Sequence, residues 1–288
     1  MTVAPAPLPR RLASLVRIEH TVFALPFAYV GAFLAVDGWP GLANVVWVTL
    51  AMVGARTLAM ALNRVVDAEL DARNPRTATR ELPSGALTRG QVLALSGAAL
   101  AVFLMAVSQL DPVVRYLWPI PVVMFVVYPY LKRVTWLCHF WLGACLALAP
   151  IGAWLAVSGT APWEAWAIGG AVLLWVAGFD LFYSLFDLEH DQREGLHSWA
   201  VRFGERGVFL GARTLHAGSV ALLAVAGAGL HAGVLYWLGV VATAVLLAYE
   251  HSIVRPGDLR RLDAAFFTLN GVISVVFFVF VGLDVMVG

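Results

Sequence analysis

The chain has 288 residues, of which 61% are hydrophobic and only 13% charged, with 19 basic and 18 acidic side chains. Soluble globular proteins carry about 25% charged residues, so the composition excludes a water-soluble globule. The near-zero net charge gives no reason to expect a nucleic-acid partner. Apolar runs of roughly 20 residues recur along the chain, which is the length a helix needs to cross a bilayer. These features predict an all-α, polytopic membrane protein surrounded by lipid.

The apolar pattern predicts nine membrane-spanning helices in one bundle. They cover roughly residues 21–36, 43–70, 90–109, 113–130, 135–157, 164–186, 208–229, 232–250 and 264–286. No segment has the composition of a separate soluble domain, so residues 1–288 are predicted to form a single domain. Residues 1–20 form its N-terminal segment.

The distribution of basic residues predicts the orientation of the bundle. Fifteen of the 19 lie in the N-terminal segment and in the connections around 71–89, 131–134, 187–207 and 251–263, and Arg213, shortly after the third of these connections, brings this group to sixteen. Basic loops are retained in the cytoplasm. The N-terminus and these connections are therefore expected to be cytoplasmic.

Turn and capping signals bound the connection after the second predicted helix. Pro75 disfavours helical geometry at Asn74, so the helix is expected to end there. Thr88 and Gln91 have the spacing of a capping box, which predicts that the third helix begins after Thr88.

The second helix ends in a polar stretch, ALNRVVDAELDARNPRTATRELPSG, within an otherwise apolar chain. Its side chains at helical spacing are Arg56, Asn63, Asp67 and Asp71. At 100° per residue the last three fall within about 80° of one another, and the Arg joins the same stripe. Arg64 and Glu69 are predicted to point elsewhere. One helix face therefore carries an Arg, an Asn and two carboxylates toward the cytoplasm.

A second acidic stripe lies at the end of the sixth predicted helix. Asp180, Asp187 and Asp191 fall within about 40° of one another on a continuous α-helix. A carboxylate deep in a membrane costs several kcal/mol unless it is paired or hydrated. In a purely structural alternative, Asp180 and Arg56 form an ion pair in the membrane and the other acids merely lie in loops. That alternative does not explain why two helices carry matching acidic stripes, so the pattern favours a functional site.

The chemistry of these residues suits a metal and a diphosphate. Four carboxylates, Asp67, Asp71, Asp187 and Asp191, offer the oxygen ligands that Mg²⁺ prefers. Arg76, Arg80 and Lys132 lie in nearby connections and can neutralise phosphate oxygens. The sequence therefore predicts a Mg²⁺–diphosphate site at the cytoplasmic end of the bundle. A proton- or cation-coupled transporter that uses the same acids is the main alternative.

These motifs resemble those of the UbiA superfamily of intramembrane aromatic prenyltransferases. The family pattern NxxxDxxxD matches Asn63, Asp67 and Asp71, and the pattern DxxxD matches Asp187 and Asp191. Further matches are the YxxxK element at Tyr128 and Lys132, the basic residues Arg17 and Arg56, and the acid Asp180. The similarity extends over about the whole chain.

The resemblance implies a Mg²⁺-dependent transfer of a polyprenyl group from polyprenyl diphosphate to a small aromatic carboxylate. The two acid pairs would hold Mg²⁺ on the diphosphate, with Asn63 orienting them. Arg76, Lys132 and Arg80 would stabilise the departing pyrophosphate. Arg56 and Arg17 would bind the acceptor carboxylate, and Asp180 would position the acceptor hydroxyl or pair with Arg56. Tyr128 would contact the diphosphate or shield the allylic cation.

The stretch DLEHDQREGLHSWAVRFG is similar to two groups of bacterial members. One group is described as 4-hydroxybenzoate polyprenyltransferases of ubiquinone synthesis. The other prenylates a naphthoate in the futalosine route to menaquinone. The resemblance therefore implies an enzyme of quinone synthesis in the cell inner membrane, with a hydroxybenzoate or a hydroxynaphthoate as acceptor.

Overall fold

The structure is a computed structural model in which residues 7–16, 21–254 and 268–288 are described. These residues form helices and turns, and no strand occurs among them. The helices are α1 (Leu8–Val16), α2 (Thr21–Leu34), α3 (Leu42–Arg73), α4 (Arg89–Ser108), α5 (Val114–Leu117), α6 (Pro119–Leu131), α7 (Cys138–Ser158), α8 (Trp163–Tyr183), α9 (Leu188–Arg193), α10 (Trp199–Gly229), α11 (Val234–Ile253) and α12 (Asn270–Val287). The predicted all-α class is confirmed.

The described residues contain eight helical segments that are long and apolar enough to cross a membrane, and Ala24–Leu34 is a shorter apolar helix. The count of nine spans and the orientation stay predictions. Many large apolar side chains are exposed on these helices, among them Leu210, Val241 and Val245, whose exposed fractions exceed half. Water-soluble monomers rarely expose contiguous apolar surface on this scale, whereas lipid-facing helices do.

Both signals predicted for the connection after α3 are confirmed. α3 ends at Arg73 with Asn74 in an extended conformation, as expected for the residue before Pro75. At the start of α4, the Gln91 N–H donates to Thr88 Oγ1 at 3.2 Å. In return the Thr88 N–H donates to Gln91 Oε1 at 2.9 Å, which completes the capping box.

The prediction of one continuous sixth helix is wrong. α8 ends at Tyr183, a 3₁₀ turn covers Ser184–Asp187, and the short helix α9 follows. A 3₁₀ turn has three residues per turn rather than 3.6, so the arc estimated for Asp180, Asp187 and Asp191 on an ideal α-helix does not describe them. The second motif is therefore divided between two elements.

Two further boundaries differ from the prediction. The predicted segment 113–130 is divided into α5 and α6 at Trp118. The helix predicted from residue 208 instead begins at Trp199 and is kinked at Gly204, whose φ of 68° lies in the left-handed region that glycine adopts readily. The residues of α10 before 208 include several charged side chains, so they were predicted to be a loop. Hydropathy identifies only the apolar part of a helix.

α8 lies at the centre of the bundle. It packs against α7 and α10, while α7 also contacts α2, and α3 packs against α4 and α6. The close contact of α7 with α8 depends on Gly143, since a Cβ there would collide with the carbonyl oxygen of Leu173. This packing leaves a cavity between α3, α6, α7 and α8, into which the polar segments of the sequence face.

Candidate functional site

One cavity of about 810 Å³ collects the polar residues singled out in the sequence. It is lined by Arg56, Asn63, Asp67, Asp71, Arg76, Arg80, Tyr128, Lys132, Asp180, Asp187 and Asp191. Arg17 lies outside the described residues. Residues from both acidic motifs therefore share one space, although they are more than 100 positions apart in the chain.

Asp67 lies at the centre of the first motif and is 5% exposed. The amide of Asn63, one helical turn earlier, donates to Asp67 Oδ2 at 3.2 Å. Lys132 Nζ lies 3.1 Å from the same oxygen, and an Arg133 nitrogen lies 3.1 Å from Oδ1. Lys132 and Arg133 follow α6, so these contacts attach the end of α6 to the acidic face of α3.

Asp71, the second acid of this motif, is 6% exposed. Arg80 Nη1 donates to both of its carboxylate oxygens, at 2.7 and 2.8 Å. The Thr77 hydroxyl donates to the Asp71 backbone carbonyl at 3.0 Å and satisfies an acceptor at the end of α3. The connection after α3 thus folds back over the helix end and brings its basic residues to the acids.

Arg76 joins the two motifs. Its Nε donates to Asp187 Oδ1 at 3.0 Å, its Nη2 pairs with Oδ2, and its Nη1 donates to the Tyr183 hydroxyl at 3.0 Å. The Asn74 amide donates to Asp187 Oδ1 at 2.8 Å. Burial desolvates the Arg76 guanidinium and by itself would lower its pKa, but the hydrogen bond with Asp187 outweighs this and raises the pKa. Arg76 is therefore a permanent positive charge.

Asp191 lies in α9 and lines the same cavity. The Leu196 N–H donates to the Asp191 backbone carbonyl at 2.8 Å and turns the chain toward α10. The 3₁₀ turn before α9 places Asp187 beside Arg76, while Asp191 follows in the next turn. The interrupted helix therefore still presents both acids of the second motif to one space.

The four acids do not form a preassembled metal cage. Among the described residues, no three His, Cys, Asp or Glu side chains are close enough to hold a metal ion by themselves. Mg²⁺ is commonly bound through one or two carboxylates together with waters and substrate phosphates. The oxygen-only donor set, with basic side chains beside it, fits that mode of binding.

Deeper in the bundle, Asp180 and Arg56 line the cavity beyond the two motifs. Asp180 Oδ2 lies 2.7 Å from Nδ1 of His139, a partner that the sequence reasoning did not identify. Tyr128 of α6 is close enough to Asp180 and Asp67 to interact electrostatically with both. The Asp180 side chain therefore has a defined neighbour in α7.

The prediction that Arg64 points away from the site is wrong. Its side chain is 7% exposed and lines both the main cavity and a smaller adjoining cavity of about 200 Å³. Glu69, in contrast, is exposed and pairs with Arg89, as its position on the helix predicts. The long side chain of an Arg can extend around the helix from the position of its Cα. The position of Arg64 on the helix therefore did not predict where its guanidinium lies.

The rest of the cavity is apolar. On α3 its lining runs from Val48 to Asp71, roughly 35 Å along the helix axis at 1.5 Å per residue. The apolar walls include Val48, Met52, Phe103, Val107, Leu110 and Phe125. The cavity thus combines a charged end, formed by the motifs, with a long hydrophobic part.

Comparison with known proteins agrees with this architecture. The model of the UbiA prenyltransferase family matches residues 24–272. A 4-hydroxybenzoate octaprenyltransferase of Marinobacter nauticus is 31% identical over 264 residues, covering 90% of this chain and 89% of the relative. That of Aliivibrio fischeri is 29% identical over 269 residues, covering 93% and 91%.

Solved structures show the same fold. A UbiA homologue from Aeropyrum pernix K1 superposes with a TM-score of 0.85 and 32% identity, covering 93% of this chain and 98% of the other. A UbiA homologue from Archaeoglobus fulgidus, solved bound to GPP and Mg²⁺, superposes with a TM-score of 0.75 and 21% identity, covering 96% and 100%. This chain belongs to the UbiA prenyltransferase family.

Proposed function

We propose that this prenyltransferase moves a polyprenyl group from a polyprenyl diphosphate to a hydroxybenzoate or hydroxynaphthoate in membrane quinone biosynthesis. The reaction depends on Mg²⁺. Support comes from relatives named 4-hydroxybenzoate octaprenyltransferase and from a homologue solved with GPP and Mg²⁺. The family membership favours this enzyme over the transporter alternative.

The observation that carries the proposal is the meeting of the two acidic motifs at one end of a long apolar cavity. Arg76 from the first segment contacts Asp187 of the second, and both line the same space. A prenyl diphosphate has the matching form, with a charged head and a long apolar tail. The head would lie among the acids and bases, and the tail along the hydrophobic walls.

The diphosphate is assigned to the charged end. Asp67, Asp71, Asp187 and Asp191 would hold Mg²⁺, which when bound neutralises the oxygens of the diphosphate. Asn63 orients Asp67, to which it donates a hydrogen bond. Arg76, Lys132 and Arg80 are in contact with these acids and supply positive charge where the leaving pyrophosphate gains negative charge.

Cleavage of the donor leaves an allylic cation, which an aromatic ring carbon ortho to a hydroxyl attacks. The apolar walls keep water away from that cation. Tyr128, which lines the cavity and interacts electrostatically with Asp180 and Asp67, would contact the diphosphate or shield the cation.

The acceptor is assigned to the part of the cavity beyond the motifs. Arg56 would bind the acceptor carboxylate, because a guanidinium pairs with a carboxylate through two parallel hydrogen bonds. Arg17 is proposed as a second carboxylate-binding residue on the strength of its match to the family pattern. Asp180 would bind the acceptor hydroxyl.

We assign residues 1–288 to a single domain in the cell inner membrane, with nine spans and the N-terminus in the cytoplasm. The asymmetric distribution of Arg and Lys supports this orientation. It places the charged end of the cavity on the cytoplasmic side, where soluble diphosphates and Mg²⁺ are available.

The experiment that tests the function uses purified protein in lipid vesicles with a labelled polyprenyl diphosphate, Mg²⁺ and either 4-hydroxybenzoate or a hydroxynaphthoate. A prenylated product with one of them is expected, and Asp67→Asn or Asp191→Asn should remove it. Glu69→Gln is the control on the exposed side of α3. Absence of product with every acceptor, or near-normal product from both variants, would reject the proposal.

A further inference from the structure

A buried His–Asp pair lies in the wall of the cavity between α7 and α8. His139 Nδ1 and Asp180 Oδ2 are 2.7 Å apart, and both residues line the cavity. His139 is 5% exposed. The close packing of α7 and α8 around Gly143, one turn from His139, fixes the separation of the two side chains. The pair is therefore part of the rigid wall.

The other ring nitrogen determines the protonation of His139. The backbone N–H of Trp199, the first residue of α10, donates to His139 Nε2 at 3.1 Å. A nitrogen that accepts a hydrogen bond carries no proton, so the ring proton of the neutral imidazole is on Nδ1. His139 therefore donates its Nδ1–H to Asp180 Oδ2.

This arrangement prepares Asp180 as a hydrogen-bond acceptor. An N–H donor directed at a carboxylate stabilises its negative charge and fixes its rotation. The bond engages Oδ2, so Oδ1 can accept from a hydroxyl bound in the cavity. Apolar packing of α7 does not need an imidazole at this position, because a buried imidazole requires hydrogen-bond partners for its ring nitrogens. His139 has such partners in Asp180 and in the N-terminus of α10.

We propose that Asp180 is the base that removes the phenolic proton of the acceptor and that His139 positions it, an inference that rests on the proposed prenyl transfer. The acceptor O–H proton moves to Asp180 Oδ1. The C1–O bond of the donor breaks, its electron pair leaves with pyrophosphate, and the ring carbon ortho to the oxygen then forms a bond to C1 of the allylic cation. The resulting dienone loses its ring proton to the pyrophosphate, and Asp180 returns the first proton to the oxygen.

The test compares His139→Asn with His139→Ala. Asn carries an N–H donor three bonds from Cα, as His does at Nδ1, whereas Ala carries none. Both variants lack Nε2, the ring nitrogen that accepts from the Trp199 N–H, so the loss of this contact with α10 is common to both. We expect His139→Ala to lower kcat by about tenfold or more, and His139→Asn to recover most of the loss, with the donor KM unchanged in each. Asp180→Asn should lower kcat by about 10²-fold or more, the usual range for loss of a general base.

The second arm changes the acceptor. An acceptor fluorinated at every open ring carbon except one ortho to the hydroxyl, assayed at a pH above the pKa of its own phenol, is ionised before it binds and needs no base. The ratio of wild-type to Asp180→Asn kcat should therefore fall at least severalfold with this acceptor. Adding His139→Ala to Asp180→Asn should cause little further loss, since the two residues act as a unit.

An equal ratio for both acceptors, or equal losses for His139→Asn and His139→Ala, would overturn the inference. Wild-type transfer in the same assay checks the proposed function independently. If the wild type forms product but the variants show equal ratios or equal losses, the role of the His139–Asp180 pair is rejected and the proposed prenyl transfer is kept.

Discussion

Arg76 and Asp187 form an ion pair with two contacts, from Nε and Nη2, that connects the segment after α3 to the 3₁₀ turn after α8. A second bridge, between Arg73 and Glu194, lies nearby, but Arg73 does not line the cavity and its side chain is 57% exposed. The two arginines therefore offer a matched pair, since Arg73 at the end of α3 and Arg76 just after it each bridge to residues that follow α8, and only Arg76 lines the cavity.

Arg76→Ala is expected to lower the rate of prenyl transfer by about 100-fold or more, because it removes a fixed positive charge from the proposed leaving group. Arg73→Ala should change it by less than about twofold, since an exposed ion pair contributes at most about 1 kcal/mol. Steady-state kinetics in lipid vesicles measure both. Similar losses in the two variants would mean that the bridge matters for folding and not for the diphosphate.

Asp71→Asn is expected to raise the Mg²⁺ concentration needed for half-maximal activity by roughly tenfold or more, because a neutral amide is a weaker ligand for a hard cation. Glu69→Gln removes an acid from the same helix on its exposed side and should leave the Mg²⁺ dependence unchanged. Titrations of activity with Mg²⁺ at saturating donor measure the shift. An unchanged midpoint for Asp71→Asn would remove that residue from the metal site.

Arg56→Leu is expected to raise the acceptor KM by about tenfold or more, since a hydrogen bond to a charged group contributes about 1.5–3 kcal/mol. The donor KM should change little. Arg115→Leu removes a basic residue that does not line the cavity and serves as the control. A larger effect on the donor KM than on the acceptor KM would move Arg56 to the diphosphate.

Gly143→Ala is expected to lower the Tm by about 2 °C or more, because a Cβ would collide with the Leu173 carbonyl and force α7 and α8 apart. Gly152→Ala in the same helix meets no atom within 4 Å and should leave the Tm unchanged or raise it. Thermal unfolding in detergent measures both. Equal Tm values for the two variants would contradict the close packing.

Local rules in the sequence predicted the end of α3, the start of α4 and the polar stripe of α3. Pro75 and the Thr88 capping box act on neighbouring residues, so their effects can be read from the chain alone. The same holds for Asn63 and Asp67, one turn apart and hydrogen-bonded. The sequence also predicted that the two motifs meet, because both lie at the same depth in the membrane. The contact between Arg76 and Asp187 agrees with that prediction.

The parts that were missed depend on contacts between distant segments. The 3₁₀ turn at Ser184–Asp187 contains no Pro or Gly that would signal it. His139 was not predicted as a site residue, although a His within an apolar helix is itself a sign of a polar partner in the membrane. Arg133 follows Lys132 directly, and only the fold shows that both reach Asp67.

The most direct measurement of the central claim is the binding of a non-reactive prenyl thiodiphosphate to purified protein with Mg²⁺, by titration calorimetry. If the two acidic motifs hold one diphosphate, Asp67→Asn and Asp187→Asn should each weaken binding by about tenfold or more, and the double variant should lose less than the product of the two effects. Wild-type affinity in either single variant would show that its motif does not bind the diphosphate.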